Sequence, residues 1–243
     1  YLTTTKTVEY YSRLCKQEGG RIHLHLSETL REHTECKERY GKTPAEWFRD
    51  LGTLDSPVLA AHCVHCEDSD LDIFAEKGTS LIHNPSSNMK LGSGFAPVAK
   101  ALKKGVNVVL GTDGAASNNN LNMMEEMHLA AVIHNGYQRD ATIMTPGEVI
   151  HMATSAGARA QGRENSGSLK VGMSADIVAV SFDAPHMFPA LETLPMLTYS
   201  AQASDIRMTM VDGKVLFENG TYLTLDAERV MYNVRRSVQR LLG

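Results

Sequence analysis

The chain has 243 residues, of which 42% are hydrophobic and 21% charged. These values are typical of a soluble globular protein and exclude disordered, collagen-like and low-complexity chains. There are 24 basic and 28 acidic residues, and the net charge of −4 without a basic stripe argues against a nucleic-acid partner. No apolar run is long enough to span a membrane, and the first residues lack a signal-peptide pattern. The four cysteines are too few for a disulfide scaffold, which agrees with a reducing compartment. Together these observations lead us to expect a cytoplasmic protein with no membrane contact.

Strand-like and helix-like segments alternate through the first two thirds of the chain. Short aliphatic runs bounded by turn residues predict β-strands over 21–26, 58–63, 79–83 and 106–111. Helical patterns predict helices over 43–51, 69–77, 96–104 and 122–134, the last closed by Asn135-Gly136, and a further helix from Thr145. Thr145-Pro146-Gly147-Glu148 has the form of a capping box with proline at the first helical position. This alternation predicts an α/β fold with a parallel sheet.

The pattern changes after about Gly167. Short strands are predicted over 175–181, 206–211, 214–218 and 222–225, with Asp212-Gly213 as a hairpin turn. Asp226 is then expected to cap an amphipathic helix over 227–242. No proline- or serine-rich linker separates the two regions.

Polar and ionisable residues cluster where the four predicted parallel strands end. They are His25 with Glu28, His62 with His65, His83 with Asn84, and Asp113. Active sites of parallel α/β proteins form at this edge because the strand ends converge there and the loops are free to vary. The sequence therefore predicts a site at the carboxyl edge of the sheet.

These residue types suit metal-assisted chemistry. The imidazole of His25 can bind Zn²⁺ or Fe²⁺, and Glu28 can carry a proton without binding the metal. Asp113 can bind metal and accept a proton from water, and His62 can hold the resulting charge. Taken one by one, these residues also fit ordinary structural roles, such as buried histidines, a solvated acid and an Asp-Gly turn. Their shared position at four strand ends favours the functional interpretation.

Cys63 and Cys66 form a C-x-x-C pair next to His62 and His65. A structural zinc knuckle needs a second pair, but Cys15 and Cys36 are singletons. A redox motif of the thioredoxin type starts a helix, whereas this pair ends a strand. Both alternatives are therefore weaker than a site built on the strand ends.

Five motifs in fixed order carry a resemblance to a known family. They are HLHLSET, AAHCVHC, HNPSSNMKLGSG, GTDGAASNNNLNMMEEM and SGSLKVGMSADIVAVS. Together they resemble the amidohydrolase superfamily, in the branch that holds 5′-methylthioadenosine/S-adenosylhomocysteine deaminases, guanine deaminase and the triazine hydrolases. The resemblance extends from about Arg21 to Asp226.

The resemblance implies a catalytic site with one divalent metal, Zn²⁺ with Fe²⁺ as the alternative. His25 and Asp113 would be metal ligands, with Asp113 also the base, Glu28 the proton shuttle and His62 the residue that steadies water or substrate. Asn84, Ser87, Asn88 and Lys90 would lie in a loop beside the substrate, with Glu28 and His62 also contacting it. The resemblance also implies a homodimer that acts on a small molecule.

One family motif has no counterpart in the chain. Family members open their first barrel strand with an H-x-H pair that supplies two further metal ligands, whereas His23-Leu24-His25 is followed by SET and resembles the fifth strand. A complete (β/α)8 barrel needs eight strands, and four are predicted here. We therefore expect residues 1–166 to be the C-terminal half of a barrel, 167–226 a β-sandwich segment and 227–243 a terminal helix.

The absence of an initiator methionine agrees with a chain that starts inside a longer protein. Because His25 and Asp113 are fewer than the three protein ligands of an ordinary catalytic zinc site, we expect this stretch alone to bind metal weakly.

The function implied for the parent enzyme is hydrolytic deamination of an aminopurine nucleoside such as S-adenosylhomocysteine or methylthioadenosine, because SNMKLGSGFAPV most resembles that branch. A guanine, pyrimidine or triazine C–N or C–Cl hydrolase is the alternative within the family. A catalytically inactive fragment or scaffold, or a zinc-knuckle module on Cys63 and Cys66, are alternatives outside it.

Overall fold

The computed structural model describes residues 3–243, which form a parallel and an antiparallel sheet of four strands each. The parallel sheet has the order β1-β2-β3-β4. Its strands are β1 (Ile22–Leu26), β2 (Val58–His62), β3 (Ser80–His83) and β4 (Val108–Leu110). All four predicted strands are thus present; the first three are one residue shorter than predicted, and β4 has three of its six predicted residues. The register pairs Leu26 with His62 and His83 with Leu110, so the strand ends lie at one edge.

Ten helices accompany this sheet in the described part of the chain. They are α1 (Thr5–Glu18), α2 (Leu30–Tyr40), α3 (Pro44–Asp50), α4 (Asp68–Lys77), α5 (Pro85–Lys90), α6 (Val98–Lys103), α7 (Ala115–Asn118), α8 (Met123–Gln138), α9 (Pro146–Ala153) and α10 (Ser155–Gln161). The predicted helices over 43–51, 69–77 and 96–104 correspond to α3, α4 and α6. The capping box of Thr145 and Glu148 is also present, at the start of α9.

Both faces of the parallel sheet carry buried apolar side chains. Val58 and Ala60 of β2 belong to the main core, whereas Ala61 of the same strand belongs to a second cluster. In the second cluster, Ala156 and Ala160 of α10 cover the opposite face. Burial on both faces explains the apolar run Val58–Ala61 in β2, as in other buried parallel sheets, whereas β1 alternates with the exposed His23 and His25.

The antiparallel sheet follows the helices and has the order β5-β6-β7-β8. Its strands are β5 (Ile177–Val180), β6 (Ile206–Val211), β7 (Lys214–Glu218) and β8 (Thr221–Tyr222). Asp212 and Gly213 both have positive φ, as the predicted hairpin turn requires. Between β5 and β6 lie 3₁₀ turns at Pro185–Met187 and Ala203–Asp205, and α11 (Thr193–Pro195), which runs into a π-helical turn at Met196–Ser200. The terminal helix is α12 (Ala227–Leu242).

Three predictions about these elements were wrong. The helix predicted to close at Asn135-Gly136 runs on to Gln138, because Arg139 rather than Gly136 adopts the left-handed conformation that ends it. The segment that holds Ser87 and Asn88 is the helix α5, not a loop, and Pro85 begins it. The strand expected over 222–225 ends at Tyr222, and Leu223 donates a single hydrogen bond back to the Leu216 carbonyl oxygen.

The sequence pattern also missed α1, α2 and α10. Both α1 and α2 begin at a capping threonine, Thr4 or Thr29, and end at a left-handed glycine, Gly19 or Gly41. Their residues are largely polar, so hydrophobic periodicity did not reveal them although the capping signals were present.

No residue of α12 is buried, and all of them except the partly buried Ala227 are exposed within the described chain. Its predicted apolar stripe, Val230, Val234, Val238 and Leu241, therefore lies on the surface, with Leu241 83% accessible to solvent. Across residues 3–243 no helix combines the length and the apolar character that a membrane span needs.

A buried histidine pair joins β3 to α8. The Nε2 atoms of His83 and His134 are 3.1 Å apart, and each side chain is almost completely excluded from solvent. Burial lowers the pKa of His134 from 6.5 to about 4. Burial, and then the neighbouring His134, hold the pKa of His83 well below its ordinary value. Both imidazoles are therefore neutral in the folded protein at pH 7, and one ring donates a hydrogen bond to the other.

This pair predicts a loss of stability in mild acid. Between about pH 6.5 and pH 4 the unfolded chain binds a proton at His134 that the folded protein does not, so the free energy of unfolding falls as the pH falls. A shift of this size costs roughly 3 kcal/mol for His134 alone. Urea unfolding at pH 7 and pH 4.5 should show a smaller loss for His134→Gln than for wild type. The exposed His151→Gln is the control for removing a histidine, and equal losses in all three proteins would contradict the prediction.

Gly111 allows the end of β4 to lie close to β3. A Cβ atom on Gly111 would lie 2.8 Å from Ile82 Cγ2 and 2.9 Å from Asn84 Nδ2. Gly111→Ala should therefore destabilise the protein by about 1–3 kcal/mol through overpacking. Gly136→Ala is the matched control because a Cβ there meets nothing within 4 Å, inside α8, and should stabilise by about 1 kcal/mol. Chemical denaturation of both variants measures the difference, and a neutral Gly111→Ala would refute the close approach.

Candidate metal centre

Sharp turns at the strand ends direct polar side chains toward one region at the carboxyl edge of the parallel sheet, which we call the mouth. Ser27 after β1, His62 and Cys63 at the end of β2, and Asp113 after β4 all have left-handed backbone conformations, with φ between 48° and 72°. Such conformations cost non-glycine residues energy and are found mainly where the surrounding structure holds them in place. The end of β1 is tied to that of β2 by Cys63 N–H, which donates to the Leu26 carbonyl oxygen at 2.9 Å.

Three potential metal donors meet at this mouth. One ligand atom each from His25, His62 and Asp113 lies within 4.8 Å of the other two. The imidazole rings of His25 and His62 have centroids 5.2 Å apart. His25 is exposed, His62 is buried and Asp113 is intermediate, so the cluster is open on one side. Two imidazoles and a carboxylate are donors that Zn²⁺ commonly takes.

Hydrogen bonds fix both carboxylate oxygens of Asp113. Ser87 Oγ donates to Oδ2 at 2.7 Å, and Gly114 N–H donates to Oδ1 at 2.7 Å. Burial by itself would raise the pKa of Asp113, but these two hydrogen bonds, with smaller help from His62, hold the pKa below its ordinary value. The group is therefore an ionised carboxylate at neutral pH.

His62 is held by one ring nitrogen and presents the other to the site. Its Nδ1 lies 2.9 Å from Asn88 Oδ1, in a fully buried contact. Its Nε2 lies 3.9 Å from Glu28 Oε2. Glu28 is 9% exposed, and its backbone N–H donates to Glu32 Oε2 at 2.8 Å. The carboxylate of Glu28 is thereby placed beside His62 at the inner end of the mouth.

Other residues predicted for the site lie around it in different roles. Asn84 is buried at the start of α5, and Lys90 at its end donates to the Ala116 carbonyl oxygen at 3.2 Å. His65 Nε2 lies 3.1 Å from the Ser93 carbonyl oxygen. His83 turns away to pair with His134.

Neither cysteine of the C-x-x-C pair joins a metal-donor group. Within residues 3–243, the cluster of three or more possible donors consists of His25, His62 and Asp113. Cys63 is completely buried, and its Sγ contacts the Ala60 carbonyl oxygen at 3.4 Å. Burial, and then the neighbouring Cys63, raise the pKa of the Cys66 thiol well above its usual range. Cys66 is therefore a thiol at neutral pH rather than the thiolate that metals bind.

Sequence reasoning missed two buried carboxylates that brace the site. Glu32 in the first turn of α2 accepts the backbone N–H groups of Ser27 and Glu28. Glu126 in the first turn of α8 accepts Ser86 N–H at 3.2 Å and Asn118 Nδ2 at 2.7 Å. The spacing of Thr29 and Glu32 is a capping-box signal that could have drawn attention to Glu32. Glu126 resembles any acidic residue at a helix start, so no sequence signal distinguished it.

Comparison with known proteins gives this geometry a family context. Residues 3–216 match the Amidohydrolase family. A 5-methylthioadenosine/S-adenosylhomocysteine deaminase of Caldanaerobacter subterraneus subsp. tengcongensis is 47% identical over 230 residues, which are 94% of this chain and 53% of that protein. A 5′-deoxyadenosine deaminase of Methanosarcina mazei is 44% identical over 94% of this chain and 52% of its own length. The chain thus spans about half the length of the curated relatives it matches.

Solved structures agree with this assignment. A zinc-bound adenosine deaminase from Xanthomonas campestris superposes with a TM-score of 0.94 at 31% identity, covering 98% of this chain and 54% of that one. A zinc complex of atrazine chlorohydrolase from Arthrobacter aurescens gives 0.90 at 26% identity, covering 96% and 52%. The mixed α/β architecture with one parallel and one antiparallel sheet matches the fold of these proteins. By sequence and by fold, the chain belongs to the amidohydrolase family.

Proposed function

We propose that the protein containing this chain is a metal-dependent hydrolase that deaminates adenosine-type nucleosides such as methylthioadenosine and S-adenosylhomocysteine. The observation that carries the proposal is the convergence of donor atoms from His25, His62 and Asp113 within 4.8 Å, in a member of the amidohydrolase family. Deaminase relatives of 44–47% identity support the adenosine-type substrate.

In this proposal the chain is the C-terminal half of a (β/α)8 barrel with part of a β-sandwich and a terminal helix. The three regions are residues 1–166, 167–226 and 227–243, and Tyr1 and Leu2 of the first lie outside the described residues. β1 and β4 are the outer strands of the described sheet, and barrel closure would pair them with further strands. The exposed apolar stripe of α12 supports the same arrangement, because large apolar side chains on a surface usually face a partner.

The donor set fits a divalent cation of the zinc type. His25 and Asp113 would hold the ion, and His62 offers a third nitrogen nearby. The contact of 2.9 Å between Asn88 Oδ1 and His62 Nδ1 holds the His62 ring beside the ion that His25 and Asp113 would bind. When bound, zinc supplies a Lewis acid that lowers the pKa of water toward neutrality.

The residues of this chain then divide the proton transfers of hydrolysis. His62 Nε2 orients the attacking water, and the ionised carboxylate of Asp113 accepts its proton as the oxygen adds to the ring carbon. Glu28, 3.9 Å from His62 Nε2, delivers a proton to the ring nitrogen and later helps the amine leave as ammonia. Water is consumed and ammonia released, so the atoms balance without a redox partner.

Activity against a nucleoside series tests the proposal. Incubation of the full-length, zinc-loaded protein with adenosine, methylthioadenosine and S-adenosylhomocysteine should shift the adenine absorbance band and release ammonia. Asp113→Asn should lower the rate at least 10²-fold because it removes the base. Asp72→Asn, which alters an exposed ion pair with Lys104, is the matched control. Turnover of guanine or a triazine instead would favour those hydrolases, and no turnover with any ring would favour a scaffold.

Metal analysis tests the donor assignment separately. Zinc content of the purified protein should fall sharply in His25→Ala because that variant loses an ion ligand. It should persist in His62→Ala, in which only the orienting group is lost. Cys66→Ser should also retain zinc. Loss of zinc from Cys66→Ser with retention in His25→Ala would contradict the assignment and favour a zinc-knuckle module.

A further inference from the structure

The short helix α5 contacts two functional groups from different strands through consecutive residues. Ser87 binds Asp113, which follows β4, and Asn88 binds His62, which ends β2. We infer that Ser87 and Asn88 are positioning residues that set the orientation of Asp113 and His62, and that they are not contacts to the substrate. This inference rests on the proposed function and reassigns two residues that the family resemblance places beside the substrate.

Burial separates these two side chains from the mouth. Ser87 has no solvent-accessible surface and Asn88 only 2%, whereas the ligand His25 beside them is exposed. The Asn88 oxygen is already engaged with His62, and the Ser87 hydroxyl uses its single O–H to donate a hydrogen bond to Asp113. A substrate in the open mouth would therefore contact Asp113 and His62 before it reached Ser87 or Asn88.

Asn88 determines which nitrogen of His62 carries the proton. A carbonyl oxygen can only accept, so a 2.9 Å contact from Oδ1 requires a proton on Nδ1. In the neutral form of the ring, this leaves the lone pair on Nε2, the nitrogen that lies 3.9 Å from Glu28 Oε2. This is the tautomer that can accept a hydrogen bond from an attacking water. Without Asn88 the neutral ring would be free to exchange tautomers.

Ser87 fixes the plane of the Asp113 carboxylate. Its hydroxyl binds Oδ2, while the Gly114 N–H binds Oδ1, so rotation about the side chain would break one contact or the other. The remaining lone pairs of the two oxygens keep fixed directions. Ser87 thereby acts on Asp113 as Asn88 acts on His62.

α8 holds the helix that carries both residues. A helix of six residues is too short to be stable by itself. Its first turn is fixed by Ser86 N–H, which donates to the buried carboxylate of Glu126. The other oxygen of Glu126 accepts Asn118 Nδ2 from the segment after Asp113. The Glu126 carboxylate therefore binds both the helix that carries Ser87 and the segment that follows Asp113, and so keeps these two residues in contact.

Steady-state kinetics of the full-length, zinc-loaded protein separate positioning from substrate contact. Ser87→Ala and Asn88→Ala should each lower kcat by about 10- to 100-fold, the effect expected of residues that orient metal-site groups, with KM changed less than about threefold. Met89→Ala, on the exposed face of the same helix, is the matched control and should leave both constants unchanged. A raised KM with unchanged kcat in either serine or asparagine variant would overturn the inference.

A double-mutant cycle tests whether Asn88 acts through His62. In a His62→Ala background, Asn88→Ala should cause little further loss of kcat, because the group that Asn88 orients is already absent. A full additional loss would show that Asn88 acts on the substrate directly and would refute the inference.

The tautomer of His62 provides a readout that needs no substrate and is measured on the wild-type protein. In ¹⁵N-histidine NMR spectra of the wild-type protein, with His62→Gln used to assign the signals, His62 should carry its proton on Nδ1. A proton on Nε2 would overturn the inference even if the protein is an active deaminase. The Nδ1 tautomer in a protein without deaminase activity would retain the inference and reject the proposed function.

Discussion

The parallel register of the four strands is the constraint on which the site depends. Because β1 and β2 are paired from Ile22–Val58 to Leu26–His62, their carboxyl ends stop at the same level. His83 is likewise paired with Leu110, so β3 and β4 end together. Residues that are far apart in sequence, such as His25 and Asp113, are thereby brought to one mouth. A slip of one residue in any strand would turn its polar side chain to the other face of the sheet.

The location of the site could be predicted from sequence because strand ends carry a distinctive signal. Strands β2, β3 and β4 are largely buried and apolar, so a polar residue at the end of each stands out against its neighbours. His25, His62 and Asp113 were found in this way, and the structure brings them within reach of one ion. His83 carried the same signal but lies in a buried pair with His134. A polar residue at a strand end therefore predicts the edge of the sheet at which its side chain lies. It does not predict which neighbour that side chain contacts.

The contacts that hold the site could not be predicted because they join distant segments, although Asn88 itself was named as a candidate site residue. The hydrogen bond of Asn88 to His62 spans 26 positions, and that of Ser86 to Glu126 spans 40. No local pattern encodes such a pairing. The polar helices α1 and α2 were missed for a related reason, since capping residues mark their ends but no apolar periodicity marks their length. The antiparallel strands and their Asp212-Gly213 turn were found because hairpins are encoded locally.

Strain at the strand ends and rigidity of the site have the same origin. Left-handed conformations at Ser27, His62 and Asp113 each cost roughly 1–2 kcal/mol relative to ordinary backbone. Such a cost persists only where other contacts hold the chain in place. Those contacts are present here. Cys63 N–H binds the Leu26 carbonyl oxygen, His65 N–H binds that of Ser27, and Gly114 N–H binds the Asp113 carboxylate. The turns that aim the donor groups are thus fixed by backbone hydrogen bonds, and α5 adds the side-chain contacts that fix ring and carboxylate orientation. The candidate site is therefore held at both levels.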